Sequence, residues 1–266
     1  MATGLTGRVA LVTGASRGIG FAIVRALQAE GVRVAALARD EASLKAAAGN
    51  LAERGESELL LLSADVTSTE SVEQAVRRAH AWGGQLDILV NCAGPQLTPA
   101  PLSRTPDTVL ADYLDVKLLG FHRMASAALP LLSDSGSGRI INVAGQTARA
   151  LVPNAGVTGI TNAAVIAFTS YLASEAAERN VLVNAISPGL TLTEGWLGKH
   201  EAMAEKQGKT ADQVRDAMTS GAGVRLGRWA EPDEIAQSVV FLASDLATYL
   251  TGRVLEVDGG MSKAVS

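Results

Sequence analysis

The stretch Thr13-Gly14-Ala15-Ser16-Arg17-Gly18-Ile19-Gly20 lies between a short apolar run, residues 8–12, and a segment with helical spacing of apolar residues, 19–30. Glycines at such a junction let backbone N–H groups approach an anion, and the positive end of a helix favours phosphate there. A glycine-rich turn alone is a weak signal, because ordinary turns are also rich in glycine. At the first strand–helix junction of an alternating chain, however, it indicates a pyrophosphate site.

The rest of the chain repeats this alternation of short apolar or β-branched runs with longer amphipathic segments. Most of the runs are apolar throughout, as expected for parallel strands that are buried on both faces of a sheet. Apolar residues recur at helical spacing between them. Predicted strands are residues 8–12, 32–37, 58–63, 87–90, 139–143, 181–186 and 254–257. Predicted helices are residues 19–30, 41–54, 69–82, 108–132, 159–178 and 232–244.

This order of elements predicts an α/β fold, a doubly wound (Rossmann-type) seven-stranded parallel sheet with helices on both faces. Crossovers are then right-handed, and ligands bind at the carboxyl ends of the strands. No linker divides the chain, so residues 1–266 are predicted to form one domain. Thr67 and Glu70 predict a capping box at the third helix, and Pro232 predicts the start of the last helix.

The polar segment 193–224 breaks the alternation between the sixth strand and the last helix. Its Lys, Glu and Gly residues suit an exposed, helical piece of chain. Two interpretations are open. The segment is either a mobile lid over the ligand crevice or a merely solvated helical insertion.

The composition excludes several classes of protein. The 266 residues are 47% hydrophobic with a net charge of −4, which excludes a disordered chain. No Lys/Arg cluster is present, so neither nucleic acid nor a membrane surface is an expected partner. The single cysteine, Cys92, excludes an intramolecular disulfide, and without a Cys/His cluster no metal is expected. Because no leader or span-length apolar run is seen, we expect a cytoplasmic protein.

Five motifs, in order and at family spacing, resemble the short-chain dehydrogenase/reductase family in its small single-domain branch. The octet is similar to the family's Thr-Gly-x-x-x-Gly-x-Gly signature. Asp65-Val66 matches a pair that contacts adenine, and Asn91-Cys92-Ala93-Gly94 resembles Asn-Asn-Ala-Gly. Pro188-Gly189 with Thr193 is similar to the family's turn that flanks the nicotinamide. The C-terminal half of the family pattern is matched by Gly227-Arg228-Trp229-x-Glu231-Pro232 through Val257-Asp258-Gly259-Gly260.

The resemblance implies a single NAD(P)-binding domain with a nicotinamide cofactor, and charge indicates which one. A carboxylate at the end of the second strand would bind the ribose 2′-hydroxyl, whereas a 2′-phosphate needs cations. Ala38 occupies this position, and Arg39 and Arg17 are available to bind a phosphate, so we prefer NADP(H) to the alternative, NAD(H). The ordinary interpretation is that both arginines are solvated surface residues. The expected cofactor-binding residues are Gly14, Ser16, Arg17, Gly18, Ile19, Gly20, Arg39, Asp65, Val66, Asn91, Ala93, Gly94, Pro188, Gly189 and Thr193.

All four catalytic positions of the family are substituted. The resemblance implies a serine that polarises the carbonyl, a proton-donating tyrosine, a lysine that lowers its pKa, and an asparagine that anchors a relay water. Those positions are, in that order, Gly145, Thr158, Asn162 and Lys117. A threonine hydroxyl is a far weaker acid than a phenol, so Thr158 does not simply replace the tyrosine.

Lys117 and Asn162 resemble an exchange of residue types between two positions that lie close together in the family fold. We expect Lys117 to support the cofactor ribose and to act as the acid, because burial lowers the pKa of a lysine. The alternative is a lysine that extends to solvent from a helix face. Thr158 is a second candidate, with Asn162 and Gln146 as orienting groups.

Other polar and aromatic residues have weaker patterns. Tyr113 and Lys117 read Tyr-x-x-x-Lys along one helical face, although a core or subunit contact is the ordinary interpretation for Tyr113. His122 is expected to be structural, and Trp196 either covers the substrate or anchors packing. Further groups that could bind a substrate oxygen are Gln146, Thr147, Asn154 and Thr158.

The sequence favours a divergent NADP(H)-dependent oxidoreductase that reduces a carbonyl or activated alkene of a small molecule. Lys117, water or the substrate would supply the proton. One alternative is a non-redox isomerase, lyase or cyclase on the same scaffold. The other is a catalytically silent NADP-binding regulatory or structural subunit. The resemblance implies a homotetramer built on the long helices and the C-terminal segment, and the loop 95–101 suggests a partly apolar substrate.

Overall fold

Seven parallel strands form one sheet in the order β3-β2-β1-β4-β5-β6-β7. This computed structural model of the chain describes residues 2–52, 58–95 and 99–262. The sequence-based prediction of a doubly wound parallel sheet is confirmed, and each strand lies within two residues of its predicted bounds. The strands are β1 Val9–Thr13, β2 Arg33–Ala38, β3 Leu59–Ser63, β4 Ile88–Asn91, β5 Arg139–Val143, β6 Leu182–Pro188 and β7 Val254–Val257.

Helices cover both faces of the sheet. On one face, β1 residues such as Val12 pack with Ile23 and Ile235, and on the other Leu11 packs with Met124. Successive side chains of a strand point to opposite faces, which explains why all of β1 is buried. The helices are α1 Gly18–Ala29, α2 Glu41–Ala52, α3 Thr69–Gly83, α4 Asp107–Tyr113, α5 Gly120–Asp134, α6 Gly156–Ala176, α7 Glu194–Gln207, α8 Ala211–Ala222 and α9 Pro232–Ala243.

The prediction of one continuous α-helix over residues 108–132 is wrong. A π-helix, Leu114–Leu119, separates α4 from α5 and contains Lys117. The one-turn α-helical spacing of Tyr113 and Lys117 is therefore not kept, and Tyr113 is only 7% exposed. A π-turn inside an α-helix is frequently found at a functional site, because it redirects side chains that a regular helix would place elsewhere.

Two predicted helix starts have different outcomes. α3 is capped by Ser68, whose hydroxyl accepts from the Ser71 N–H, so the predicted capping box of Thr67 and Glu70 is wrong. The Thr67 hydroxyl instead donates to Asp65. Pro232 begins α9, as predicted. Residues 53 and 54 of the predicted second helix lie outside the described residues.

Two further segments bear on the overall organisation. The polar segment 193–224 contains α7 and α8, and its function as a lid stays a prediction. By length and composition alone, the helix Gly156–Arg179 could cross a membrane. It packs against β6, and Val165 and Ala173 are buried in the core, as expected for the central helix of a globular domain.

The first strand–helix junction generates a stability prediction. A Cβ at Gly20 would overlap the carbonyl oxygen of Gly14, whereas a Cβ at Gly49 in α2 would have no neighbour within 4 Å. Gly20→Ala should lower the free energy of unfolding by about 1–3 kcal/mol through overpacking. Gly49→Ala should raise it by about 0.5–1 kcal/mol, because alanine loses less backbone entropy in a helix. Urea denaturation measures both, and equal stabilities of the two variants would contradict the prediction.

Candidate functional site

The loop after β4 lies against the glycine-rich junction of β1 and α1. The Thr13 hydroxyl oxygen accepts from the backbone N–H groups of Cys92, at 3.0 Å, and Ala93, at 3.1 Å. Gly14 has a positive φ of 68°, and a Cβ there would lie 2.9 Å from the Cα of Ala93. Only glycine permits this close approach, so two of the predicted cofactor segments are brought together.

The N-terminus of α1 already holds a carboxylate. The Gly18 N–H donates to Oε2 of Glu194 at 3.2 Å, and a Cβ at Gly18 would lie 3.2 Å from Cγ2 of Thr193. The positive helix end favours an anionic oxygen at this point. Glu194 was missed from the sequence, where the only signal is an acidic residue in the first turn of α7.

The carboxyl ends of β2 and β3 bring Arg39 close to Asp65. Asp65 Oδ1 accepts from the N–H and hydroxyl of Thr67, at 2.9 and 2.8 Å. The backbone hydrogen bond from Thr67, followed by smaller contributions that include the charge of Arg39, lowers the pKa of Asp65. Arg17 and Arg39 are exposed, and within the described part of the chain neither forms an ion pair. Both guanidinium groups are therefore available to an anionic ligand.

The side chain of Asn91 lies inside the sheet. Its Nδ2 donates to Oδ1 of Asn142, directly opposite on β5, at 3.0 Å, and Asn142 Nδ2 donates to the Thr169 hydroxyl at 3.0 Å. This chain of bonds links β4 and β5 to α6. Asn91 is fully buried, so its side chain serves the sheet, and its expected contact with a cofactor stays a prediction.

The turn after β6 closes the other side of the crevice. The Gly189 N–H donates to the carbonyl oxygen of Val257 at 2.9 Å, and a Cβ at Gly189 would lie 2.7 Å from the Cα of Asp258. Pro188 ends β6, and Thr193 immediately precedes α7 and lies next to Gly18. The structure thus places the octet and the turn at 188–193 at the same edge of the sheet.

Lys117 and Asn162 are in direct contact. The Lys117 Nζ donates to Oδ1 of Asn162 at 2.6 Å and to the carbonyl oxygen of Ala144 at 2.9 Å. Asn162 is 2% exposed, and its Nδ2 donates to the Thr147 hydroxyl oxygen at 2.8 Å. A Cβ at Gly94 would lie 3.7 Å from Cδ of Lys117, which places the amine beside the loop after β4.

Burial controls the acidity of this amine. Desolvation lowers the pKa of Lys117 to about 8, and the nearby Cys92 has its pKa raised to about 12 by burial. Both hydrogen-bond acceptors of the amine are neutral, so no carboxylate restores its usual pKa. An amine that titrates close to neutral pH can donate a proton and recover it.

The remaining candidates lie on the turn after β5, on α6 and on α5. Gln146 begins a short 3₁₀ turn, Gln146–Ala148, that also carries Thr147. The hydroxyl oxygen of Thr158 is buried and has no hydrogen-bond partner among the described residues. His122 is exposed and faces Phe168, with ring centroids 6.2 Å apart. Residues 96–98 of the loop predicted to contact substrate lie outside the described residues.

Trp196 belongs to an aromatic cluster at the start of α7. Its ring centroid lies 5.3 Å from that of Trp229 and 5.8 Å from that of His200. Trp229 and His200 are both buried. These contacts agree with the packing interpretation of Trp196, whereas its predicted contact with substrate stays a prediction.

Most of this chain is similar in sequence to known oxidoreductases. Residues 14–262 match the family model described as Enoyl-(Acyl carrier protein) reductase. The 3-oxoacyl-[acyl-carrier-protein] reductase FabG of Vibrio harveyi is 38% identical over 262 residues, which cover 97% of this chain and 98% of that protein. The short-chain reductase protein NovJ of Streptomyces niveus is 37% identical over 257 residues, with coverage of 95% and 93%.

Two solved structures are similar to this chain over 99–100% of its length. L-sorbose reductase from Gluconobacter frateurii, complexed with NADPH and L-sorbose, matches with a TM-score of 0.95 and 32% identity. The match covers 100% of this chain and 100% of that chain. An actinorhodin polyketide ketoreductase with NADPH has a TM-score of 0.89 and 31% identity, with 99% of this chain and 100% of that chain covered.

The acidity of Lys117 can be measured directly. After reductive ¹³C-methylation, one lysine signal should titrate near pH 8, while exposed lysines titrate at about 10.4. That signal should disappear in Lys117→Met, which assigns it. Persistence of the signal in the variant, or titration of every lysine above about pH 10, would show that burial does not lower this pKa.

Proposed function

This chain belongs to the short-chain dehydrogenase/reductase family, and we propose that it is an NADP(H)-dependent oxidoreductase in which Lys117 replaces the usual proton donor. The substrate is a small molecule with a carbonyl or an activated alkene. The observation that carries the proposal is the contact of the Lys117 amine with Asn162, which holds an acidic N–H group beside the loop after β4. The reductases and NADPH complexes among its relatives support it.

The residues at the crevice fit an NADP(H) molecule. The Gly18 N–H at the start of α1 already binds an anionic oxygen, from Glu194, and would hold the pyrophosphate. Arg17 and Arg39 are exposed cations without ion pairs in the described chain, and either would bind a 2′-phosphate. Gly14 lets the loop after β4 pack against this junction, because a Cβ there would collide with Ala93.

The chemistry divides between the cofactor and the chain. When bound, the cofactor supplies a hydride to the substrate carbon, and the electron pair of the C=O bond then moves to oxygen. Lys117 uses two of its N–H groups on Ala144 and Asn162, so the third remains to bind that oxygen and transfer a proton to it. The neutral amine then takes up a proton from solvent, so the reduction consumes one proton overall. Thr158 is too weak an acid for this step.

Cofactor preference should depend on Arg39. Arg39→Ala should weaken NADPH binding roughly tenfold through loss of a charge-assisted hydrogen bond, while NADH binding stays within about twofold. Fluorescence titration with both cofactors measures the two dissociation constants. Arg78→Ala, which removes an exposed cation of α3, is the matched control. Equal losses for NADPH and NADH would contradict a 2′-phosphate contact.

Lys117→Met should remove most of the activity. Loss of a positioned acid typically costs roughly 10²- to 10⁴-fold in rate, so kcat/KM for NADPH oxidation with a panel of ketones, aldehydes and enones should fall by that factor. Lys45→Met, which removes an exposed amine on α2, should not change it.

Three results would reject the proposal, and each indicates something different. Unchanged turnover and cofactor affinity in Lys117→Met would reject the assignment of the proton donor. Product formed without a change in nicotinamide absorbance would indicate a non-redox enzyme. Tight NADPH binding with no turnover of any compound would indicate a binding subunit.

A further inference from the structure

The space above residue 145 is filled by Asn162. A Cβ built on Gly145 would lie 2.7 Å from Nδ2 of Asn162, which is closer than two such atoms can approach. A side chain at residue 145 would therefore collide with Asn162 in the position from which Asn162 binds Lys117. A hydroxyl that contacts the reacting oxygen must come from another residue.

The hydrogen-bond directions around Asn162 are fixed by the chemistry of the groups. An ammonium has only donors, so the group 2.6 Å from Lys117 Nζ is the amide oxygen of Asn162. The opposite end of the amide is then its NH₂ group, which also only donates. At 2.8 Å from that nitrogen, the Thr147 hydroxyl oxygen must accept.

Accepting this bond leaves the hydroxyl hydrogen of Thr147 unused. In the part of the chain that the structure describes, the Thr147 hydroxyl has no acceptor. Thr147 is half-buried, on the 3₁₀ turn that follows β5. The turn brings this hydroxyl to the same amide group that holds Lys117, whereas the Thr158 hydroxyl has no link to that amide.

The bonds also polarise one another. The Lys117 ammonium withdraws electron density from the Asn162 oxygen, which makes the Asn162 N–H a stronger donor to Thr147. Hydrogen bonds in such a chain strengthen each other by about 10–30% per bond. The free O–H of Thr147 is therefore a better donor than that of an isolated threonine.

We propose that Thr147 is the hydroxyl that binds the reacting oxygen of the substrate. This inference rests on the proposed function and deepens it, because it assigns the second donor of the site and requires a carbonyl oxygen at the reacting centre. Thr147 donates a hydrogen bond only, and the proton that completes the alcohol comes from Lys117. NADPH, when bound, would supply the hydride to the carbonyl carbon and become NADP⁺, and the amine would take up a proton from solvent.

The test compares valine and serine at residue 147. Thr147→Val keeps the shape of the side chain and removes the hydroxyl, and it should lower kcat/KM for carbonyl reduction roughly 10²- to 10³-fold, as for one oxyanion donor. Thr147→Ser should recover most of the loss. NADPH affinity and Tm should stay close to wild type in both, and the inflection of the pH profile from Lys117 should remain. Thr248→Val, at an exposed threonine, is the control.

The outcomes separate this inference from the proposed function. If the wild-type protein reduces no carbonyl compound, the proposed function fails and the role of Thr147 fails with it. If the wild type is active and Thr147→Val is equally active, only the role of Thr147 is wrong. A serine variant as slow as the valine variant, or weakened NADPH binding in proportion to the lost activity, would also overturn it by showing a structural role.

Discussion

The hydrogen bond from Lys117 Nζ to Oδ1 of Asn162 joins the π-helix to α6. Together with the bond to the Ala144 carbonyl oxygen, it uses two of the three N–H groups of the Lys117 amine. Because the acceptors are neutral and the amine is buried, the cost of desolvation lowers its pKa. The same bond fixes the orientation of the Asn162 amide and hence the donor that Thr147 can offer.

The binding end of the crevice depends on the close approach of backbone segments. Gly14, Gly20 and Gly189 each stand where a Cβ would meet backbone atoms of a neighbouring segment. These contacts align the start of α1, the loop after β4 and the turn after β6 at the carboxyl edge of the sheet, where parallel α/β proteins bind their ligands. We propose that the cofactor binds at this edge and that Lys117 and its neighbours form the chemical end of the site.

The sequence predicted the seven strands and their parallel sheet because buried runs such as β1 have a continuous apolar pattern. It did not predict the π-helix, since the apolar residues of Leu114–Leu119 suit an α-helix equally well and the choice depends on tertiary contacts. The contact of Gly18 with Glu194 joins residues 176 positions apart, and sequence periodicity does not reach that far. The lid, the homotetramer, the cytoplasmic location and the roles of the cofactor residues stay predictions.

The reciprocal exchange of Lys117→Asn with Asn162→Lys tests most directly whether these two residues act as one unit. A double-mutant cycle on kcat/KM for NADPH-dependent carbonyl reduction compares both single variants with the pair. We expect each single variant to lose activity and the double variant to be more active than either, because the exchange rebuilds an ammonium–amide contact. Additive losses would show that Lys117 and Asn162 act independently, and would contradict a site organised by their hydrogen bond.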